Sequence, residues 1–418
     1  MKINQALAQH LLKLLELITV ILLLFFAESV SLESGISNII NIIGYIFISF
    51  LIITRWKVLL YVATRDISLL LLVLLAIFSF AWSANPSATI ENAKGLIRST
   101  LFAVYLAAQY TPSAQMGLLS LISGIGMILS FIVALIIPSY GIADGVYWNG
   151  IYGHKQLFGR FLCFTSSIFL IKFFDSNSKR WLATSGLALA FFLILLSQSK
   201  TALVTFLLLL LLMPFYRLSK RANPVFFSII LISTFLILSV STIFISINLE
   251  TILVDILGKD TEFNGRVPIW IMAIEAGLKR PLLGYGYNGF WTSNAADSVI
   301  LNSFARNSEE VLRGSLIFHA HNSFVDLFLQ LGFVGLILFT FNFINIMRKV
   351  VKLIVVTNQI EFFWMFMYLA IYFVFNNVES LTLLTTNLSW IIYVSIALSS
   401  AIHYNRIKDN ETTCSAFL

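Results

Sequence analysis

Long runs of Leu, Ile, Phe and Val, interrupted by short polar or basic stretches, set the pattern of this chain. A helix that crosses a bilayer needs about 20 mostly apolar residues. Runs of that kind fall at 11–27, 36–53, 67–82, 95–110, 116–137, 157–174, 181–197, 201–216, 225–247, 323–346, 361–377 and 383–403. No strict apolar–polar alternation appears, which argues against an outer-membrane barrel. The pattern predicts an all-α integral membrane protein with about twelve transmembrane helices and one large loop between spans nine and ten. The predicted organisation is transmembrane helices one to nine over 1–248, a large loop over 249–322, helices ten to twelve over 323–403 and a tail over 404–418.

Composition agrees. Hydrophobic residues make up 59% and charged residues 11% of the chain, where a soluble domain carries about 25% charged residues. Mean hydropathy is +0.90. One or two soluble cores could not hide that much apolar surface. Cys163 lies in an apolar run and Cys414 in the tail, so neither a disulfide framework nor metal-ligand spacing emerges. Residues 1–27 are basic and then apolar, but cleavage-site chemistry is weak and further spans follow, so the segment reads as a first span rather than a leader.

The basic residues set the orientation. With the N-terminus in the cytoplasm, the inner segments hold Lys2, Lys13, Arg55, Lys57, Arg65, Lys172, Lys179, Arg180, Arg217, Lys220, Arg221, Arg348, Lys349, Lys352, Arg406 and Lys408, sixteen of the 27 basic residues. An even span number puts the C-terminus inside too. The net charge of +7 is thus mostly topological and does not point to nucleic acid. Eleven basic residues remain outside or near outer helix ends: Lys94, Arg98, Lys155, Arg160, Lys200, Lys259, Arg266, Lys279, Arg280, Arg306 and Arg313. These oppose the topology rule, so another function is expected to retain some of them.

Loops as long as 249–322 are usually functional. Pro268 suits a first helical turn, and Ile269, Trp270, Ala273, Ile274 and Leu278 recur at helical spacing. That helix is expected on the outer membrane surface with Trp270 in the interface. Gly284-Tyr285-Gly286-Tyr287-Asn288-Gly289 permits a tight turn, structural or offering N–H groups to sugar hydroxyls. Tyr285, Tyr287, Phe290 and Trp291 read equally as sugar-stacking rings or interface anchors. Ser323 and Asp326 match a helix-capping signature, so span ten should begin at Ser323 with its N-terminus open to anions. His319 and His321 sit just before that end, and Gly332 and Gly335 on the helix would admit a close neighbour.

His321-Asn322, nine residues and then Gly332-x-x-Gly335 resemble the signature of the O-antigen ligase and polysaccharide polymerase superfamily. Gly265-Arg266 and Pro281-Leu-Leu-Gly284-Tyr-Gly286 resemble that family's large periplasmic loop. Ser197-Gln198-Ser199-Lys200-Thr201 resembles its Ser-x-Ser-Arg/Lys-Thr segment. Gly153-His154-Lys155-Gln156 resembles the Gly-His-Lys-Asn segment of its exopolysaccharide-polymerase branch, with Gln156 in place of Asn. The resemblance runs from about 150 to 340.

It implies a fold like that of the C-type membrane glycosyltransferases (GT-C) in a bacterial inner membrane, with cytoplasmic termini and a periplasmic active site. It also implies transfer of a glycan from a polyprenyl (undecaprenyl) diphosphate carrier to an acceptor hydroxyl. The acceptor is a sugar of the lipid A core for a ligase, or a second lipid-linked repeat for a polymerase, as in lipopolysaccharide or surface polysaccharide biosynthesis. No nucleotide sugar or other cofactor is implied, and no acidic cluster suits magnesium, so the expected enzyme is metal-independent, and direct attack by the acceptor would make it inverting.

The chemistry fits the residues. A departing diphosphate needs fixed cations, and the planar Arg fork is the better clamp. Arg266 and Lys200 lead, followed by Lys155, Arg160 and Arg98. His321 would accept the acceptor's proton, with Asn322, His154 and His319 as further contacts. Blander readings stand beside these. His321 can orient the helix end, His319 can be structural, and His154 can be solvated. Arg266 can pair with Glu262 or Asp260, and Lys200 and Arg98 can snorkel. The rival class is a transporter or flippase of lipid-linked glycans, which should show repeated halves and broken helices at the midplane. A non-catalytic export scaffold is a second rival.

Overall fold

The computed structural model describes residues 2–27, 34–175, 179–219, 266–303, 318–379 and 387–415, with short helical pieces between 226 and 241. It is mostly helical. The helices are α1 (Lys2–Ala27), α2 (Ser34–Ala63), α3 (Ile67–Phe78), α4 (Pro86–Gln109), α5 (Pro112–Ile136), α6 (Pro138–Gly141), α7 (Lys155–Phe174), α8 (Arg180–Ser197) and α9 (Lys200–Ser219). After these come α10 (Arg266–Gly277), α11 (Asp297–Leu301), α12 (Ser323–Thr357), α13 (Ile360–Asn376) and α14 (Leu388–Ser415).

The apolar runs and these helices coincide closely, because a backbone in lipid must satisfy its own hydrogen bonds. By length and composition, Pro112–Ile136, Lys155–Phe174, Arg180–Ser197 and Ser323–Thr357 are each fit to cross a membrane, and Ile42–Phe50 with Ile53–Ala63, bent by 84°, would make a fifth. The molecule is an integral membrane protein. The anticipated span at 225–247 lies largely outside the described residues. An all-α expectation needs one amendment. Ile142–Ala143 pairs antiparallel with Tyr147–Trp148 as a two-residue hairpin, turned by Asp144 and Gly145 at φ 53° and 68°.

Short polar residues start the helices. Asp66, Asn85 and Thr111 each accept an N–H of the first turn of α3, α4 and α5, and Pro86 and Pro112 follow two of them. In the core, α12 packs on α3, α10, α13 and α14, while α7 packs on α5, α8, α9 and α13. Phe164 of α7 meets Trp364 and Tyr368 of α13, and Tyr216 of α9 meets Phe363. Gly159 of α7 lies against Ser199 and Ala202 beside the start of α9, and Leu170 and Phe174 share a groove with Met213 and Leu218, so α7 and α9 run parallel and α13, whose start meets the end of α9, runs antiparallel to both. The starts of α7 and α9 therefore lie at the same end of the bundle as the finish of α13.

Candidate active site

The site is built around Ala320. Its N–H donates to the Asp326 carboxylate, 3.1 Å from Oδ1 and 3.3 Å from Oδ2. Its carbonyl accepts Trp270 Nε1 at 2.8 Å. Both backbone groups of the residue between His319 and His321 are thus fixed by side chains from two helices. The imidazole centroids of His319 and His321 lie 4.0 Å apart, both rings are half-buried, and Nδ1 of His321 is sealed from solvent. His321 has φ 52°. Non-glycine residues seldom hold that left-handed geometry, and it costs on the order of 1–3 kcal/mol where the surroundings enforce it.

The helix start departs from the anticipated cap. Residue Ser323 does begin α12, but the cap is Asn322, whose Oδ1 accepts the N–H groups of Phe324 at 3.0 Å and Val325 at 3.3 Å. Ser323 instead donates its hydroxyl to the carbonyl of Glu379 at 2.7 Å. Asp326 does not reach back to its own helix end. It takes Ala320 and, at 2.6 Å, Trp291 Nε1. The N–H groups of 324 and 325 are consequently not open to a substrate anion. The anion favoured by this helix terminus is the protein's own buried Asp326.

Gly332 was expected to be a packing position on a regular helix. It breaks the helix instead, at φ 63° and ψ −162°. The backbone groups released there pair with the turn at 281–286. Tyr285 and Gly286 donate to the carbonyls of Leu329 and Gln330, and Phe333 and Val334 donate to those of Pro281 and Leu282. A Cβ on Gly332 would lie 2.3 Å from the carbonyl of Leu282. On the turn's other side, Tyr287 N–H donates to Ser79 Oγ, Thr89 Oγ1 donates to Tyr287 O, and Trp82 Nε1 donates to Leu283 O. The N–H groups of 284–287 and 289 are all used within the protein, so they do not hold sugar hydroxyls.

Tyr285, Tyr287 and Phe290 are buried and so are neither sugar platforms nor interface anchors, while Trp291 is half-buried and bonds Asp326 through its indole N–H. Burial pushes the Tyr287 phenol far above its ordinary value, and it stays protonated. Trp270 is half-buried, with its indole N–H held by the protein. Ile269 and Ala273 of α10 are buried, while Ile274 and Leu278 are exposed.

The remaining sequence-selected residues divide. Arg266 is the first residue of α10, one turn before Trp270; its side chain lies outside the described residues, as do Asp260 and Glu262. Lys200 begins α9 and is exposed. Ser199, beside it, packs so close to Gly159 that a Cβ there would meet its Oγ at 2.8 Å. The Lys200 and Arg160 segments are therefore neighbours. Arg160 is buried in α7. Lys155 begins α7, with Nζ 3.6 Å from the Tyr147 ring centroid. His154, which is exposed, caps that helix, its Nδ1 accepting Gln156 N–H at 3.2 Å. Arg98 lies over Tyr45 at 4.8 Å, and Lys94 pairs with Glu91 at 2.9 Å on the surface. Arg306 and Arg313 fall outside the described residues. An apolar groove of about 760 Å³ between α7, α8 and α9 is lined by Leu170, Met213 and Leu218, towards the other end of the bundle.

One residue escaped the sequence reading. Glu379 places a carboxylate oxygen within 4.8 Å of the imidazole nitrogens of His319 and His321. The available signal was its isolation, for it is the sole carboxylate between Glu361 and Asp409.

Residues 185–340 match a family model described as O-Antigen ligase. That segment holds Lys200, Arg266, His319, His321, Asn322 and the Gly332 break. The chain is also 26% identical over 275 residues to "Exopolysaccharide production protein ExoQ" of Rhizobium meliloti (strain 1021). The alignment takes in 63% of this chain and 60% of that relative, so the chain spans less than two thirds of the relative's length. Both likenesses point the same way as the motifs, towards the O-antigen ligase and polysaccharide polymerase superfamily, which this chain resembles over that segment.

Proposed function

We propose that the protein is a membrane glycosyltransferase of polysaccharide biosynthesis, acting at the extracytoplasmic end of a bundle of about twelve spans in a bacterial inner membrane. It would move a glycan from a polyprenyl diphosphate carrier to an acceptor sugar hydroxyl. The supporting observation is the fixed His319-Ala320-His321 segment, held between α10 and α12 at the end of the bundle where α7 and α9 begin with Lys155 and Lys200. Arg266 lies one helical turn from the tryptophan that holds this segment.

In the proposed reaction, His321 takes the proton of the acceptor hydroxyl as its oxygen attacks the anomeric carbon. The new C–O bond forms as the bond to the diphosphate oxygen breaks, with inversion. Arg266 and Lys200 receive the charge of the leaving diphosphate, supported by Lys155 and Arg160. General-base assistance of this kind is worth typically 10²–10⁴-fold. No metal is needed for these steps.

A polymerase or exopolysaccharide role is favoured over a ligase role by the Gly153-His154-Lys155 segment and by the Rhizobium relative's printed role in exopolysaccharide production. A transporter would use a broken helix to line a substrate path. Here the break at Gly332 is filled by the 281–286 turn. Glycan analysis of a deletion strain tests the assignment. Single repeats on the acceptor mark a lost polymerase, full-length chains stranded on the carrier mark a lost ligase, and an unchanged glycan profile would overturn both.

A further inference from the structure

We infer that His319, His321 and Glu379 form a binding site for a divalent transition-metal ion, with zinc as the fitting probe, and that the bound ion silences transfer. The second half rests on the reading of His321 as the base.

Two imidazoles and a carboxylate are a donor set that suits zinc and leaves a fourth position open. Their ligand atoms all lie within 4.8 Å of one another, and all three residues are half-buried. Small side-chain rotations would bring such atoms onto one ion with bonds of about 2.0–2.2 Å.

The cluster differs from a chance surface grouping in how its backbone is held. Asp326 and Trp270 fix Ala320 from both sides. The left-handed turn at His321 leads directly into the Asn322 cap. The carbonyl of Glu379 is tied to Ser323. All three donors therefore arrive on restrained backbone drawn from two separate segments. Pre-positioned ligands of this kind bind metal without first ordering the chain. An ion on the imidazole nitrogen occupies the lone pair that would take the acceptor's proton, so metal occupancy and general-base action exclude each other.

The test uses full-length protein in detergent, purified without a polyhistidine tag, stripped with chelator and titrated with zinc chloride by calorimetry. One tight equivalent is expected. His319→Gln and Glu379→Gln should each weaken binding by at least about tenfold, the lower bound seen when even an outer-shell partner is lost, with unchanged zinc-free melting temperature as proof of folding. In a reconstituted transfer assay, stoichiometric zinc should abolish activity and chelator should restore it. Absence of a tight equivalent, or equal binding by both variants, overturns the site. Binding with undiminished or stimulated transfer overturns the silencing. Because binding is read without turnover, active transfer by zinc-free His321→Ala protein would sink the base assignment alone and leave the site standing.

Discussion

Asp326 and Ala320 are joined by a hydrogen bond from the Ala320 N–H to the Asp326 carboxylate at 3.1 Å, and through it the start of α12 governs the geometry of both histidines. Removing the carboxylate strands the buried Ala320 N–H, at about 1–3 kcal/mol, and the half-buried Trp291 Nε1, at less. Asp326→Ala should therefore melt at lower temperature in detergent and lose at least about tenfold in transfer, while Asp326→Asn, which keeps one acceptor oxygen, should lose less. Equal activity of Asp326→Ala and wild type would show that the clamp does not matter.

At Gly332 the expected effect is larger. The φ, ψ pair of 63° and −162° is essentially glycine-only, and a methyl group would strike the Leu282 carbonyl. Gly332→Ala should cost more than about 3 kcal/mol once strain and clash are combined, seen as loss of folded protein in the membrane fraction. Gly124→Ala, where a Cβ meets nothing within 4 Å, should be neutral or stabilising by up to about 1 kcal/mol.

Far from the site, the Asp66 carboxylate takes Lys349 Nζ at 2.7 Å, Asn342 Nδ2 at 3.0 Å, Ser68 Oγ at 2.6 Å and the Leu69 N–H at 3.1 Å, and its side chain is fully buried. This network fastens α3 to α12. Lys349→Met leaves the charge buried without its cation and should destabilise by about 3–5 kcal/mol, read by thermal unfolding in detergent. Adding Asp66→Asn should recover part of the loss. A single mutant as stable as wild type would deny the pair any role.

The two ends of the bundle should face opposite compartments. In a cysteine-free background, Asp297→Cys should react with an impermeant maleimide on intact cells, and Lys179→Cys only after permeabilisation; both positions are exposed. The reverse pattern would invert the topology and move the site to the cytoplasm.

Much of this was legible in the sequence. The spans are read from apolar runs because lipid forces the backbone into helices wherever those runs occur. The start of α12 at Ser323 was read from the Ser323–Asp326 capping signature, and the start holds although the cap itself is Asn322. Other features were hidden for definite reasons. A glycine in an apolar run reads as a packing position, and its role in breaking α12 depends on a turn some fifty residues earlier, Pro281–Gly286, docking into the gap. The capping role of Asn322, whose oxygen reaches two N–H groups, was hidden behind the stronger Ser323–Asp326 signature. The proximity of Glu379 to the histidines is a product of α13 packing, which no local pattern encodes.

The most direct test of the account is transfer by purified protein on a polyprenyl diphosphate-linked glycan, comparing wild type with His321→Ala and His321→Gln at equal folded amounts. The account predicts a loss of about 10²–10⁴-fold in both variants with carrier-lipid binding retained. Transfer within twofold of wild type in either variant would contradict it.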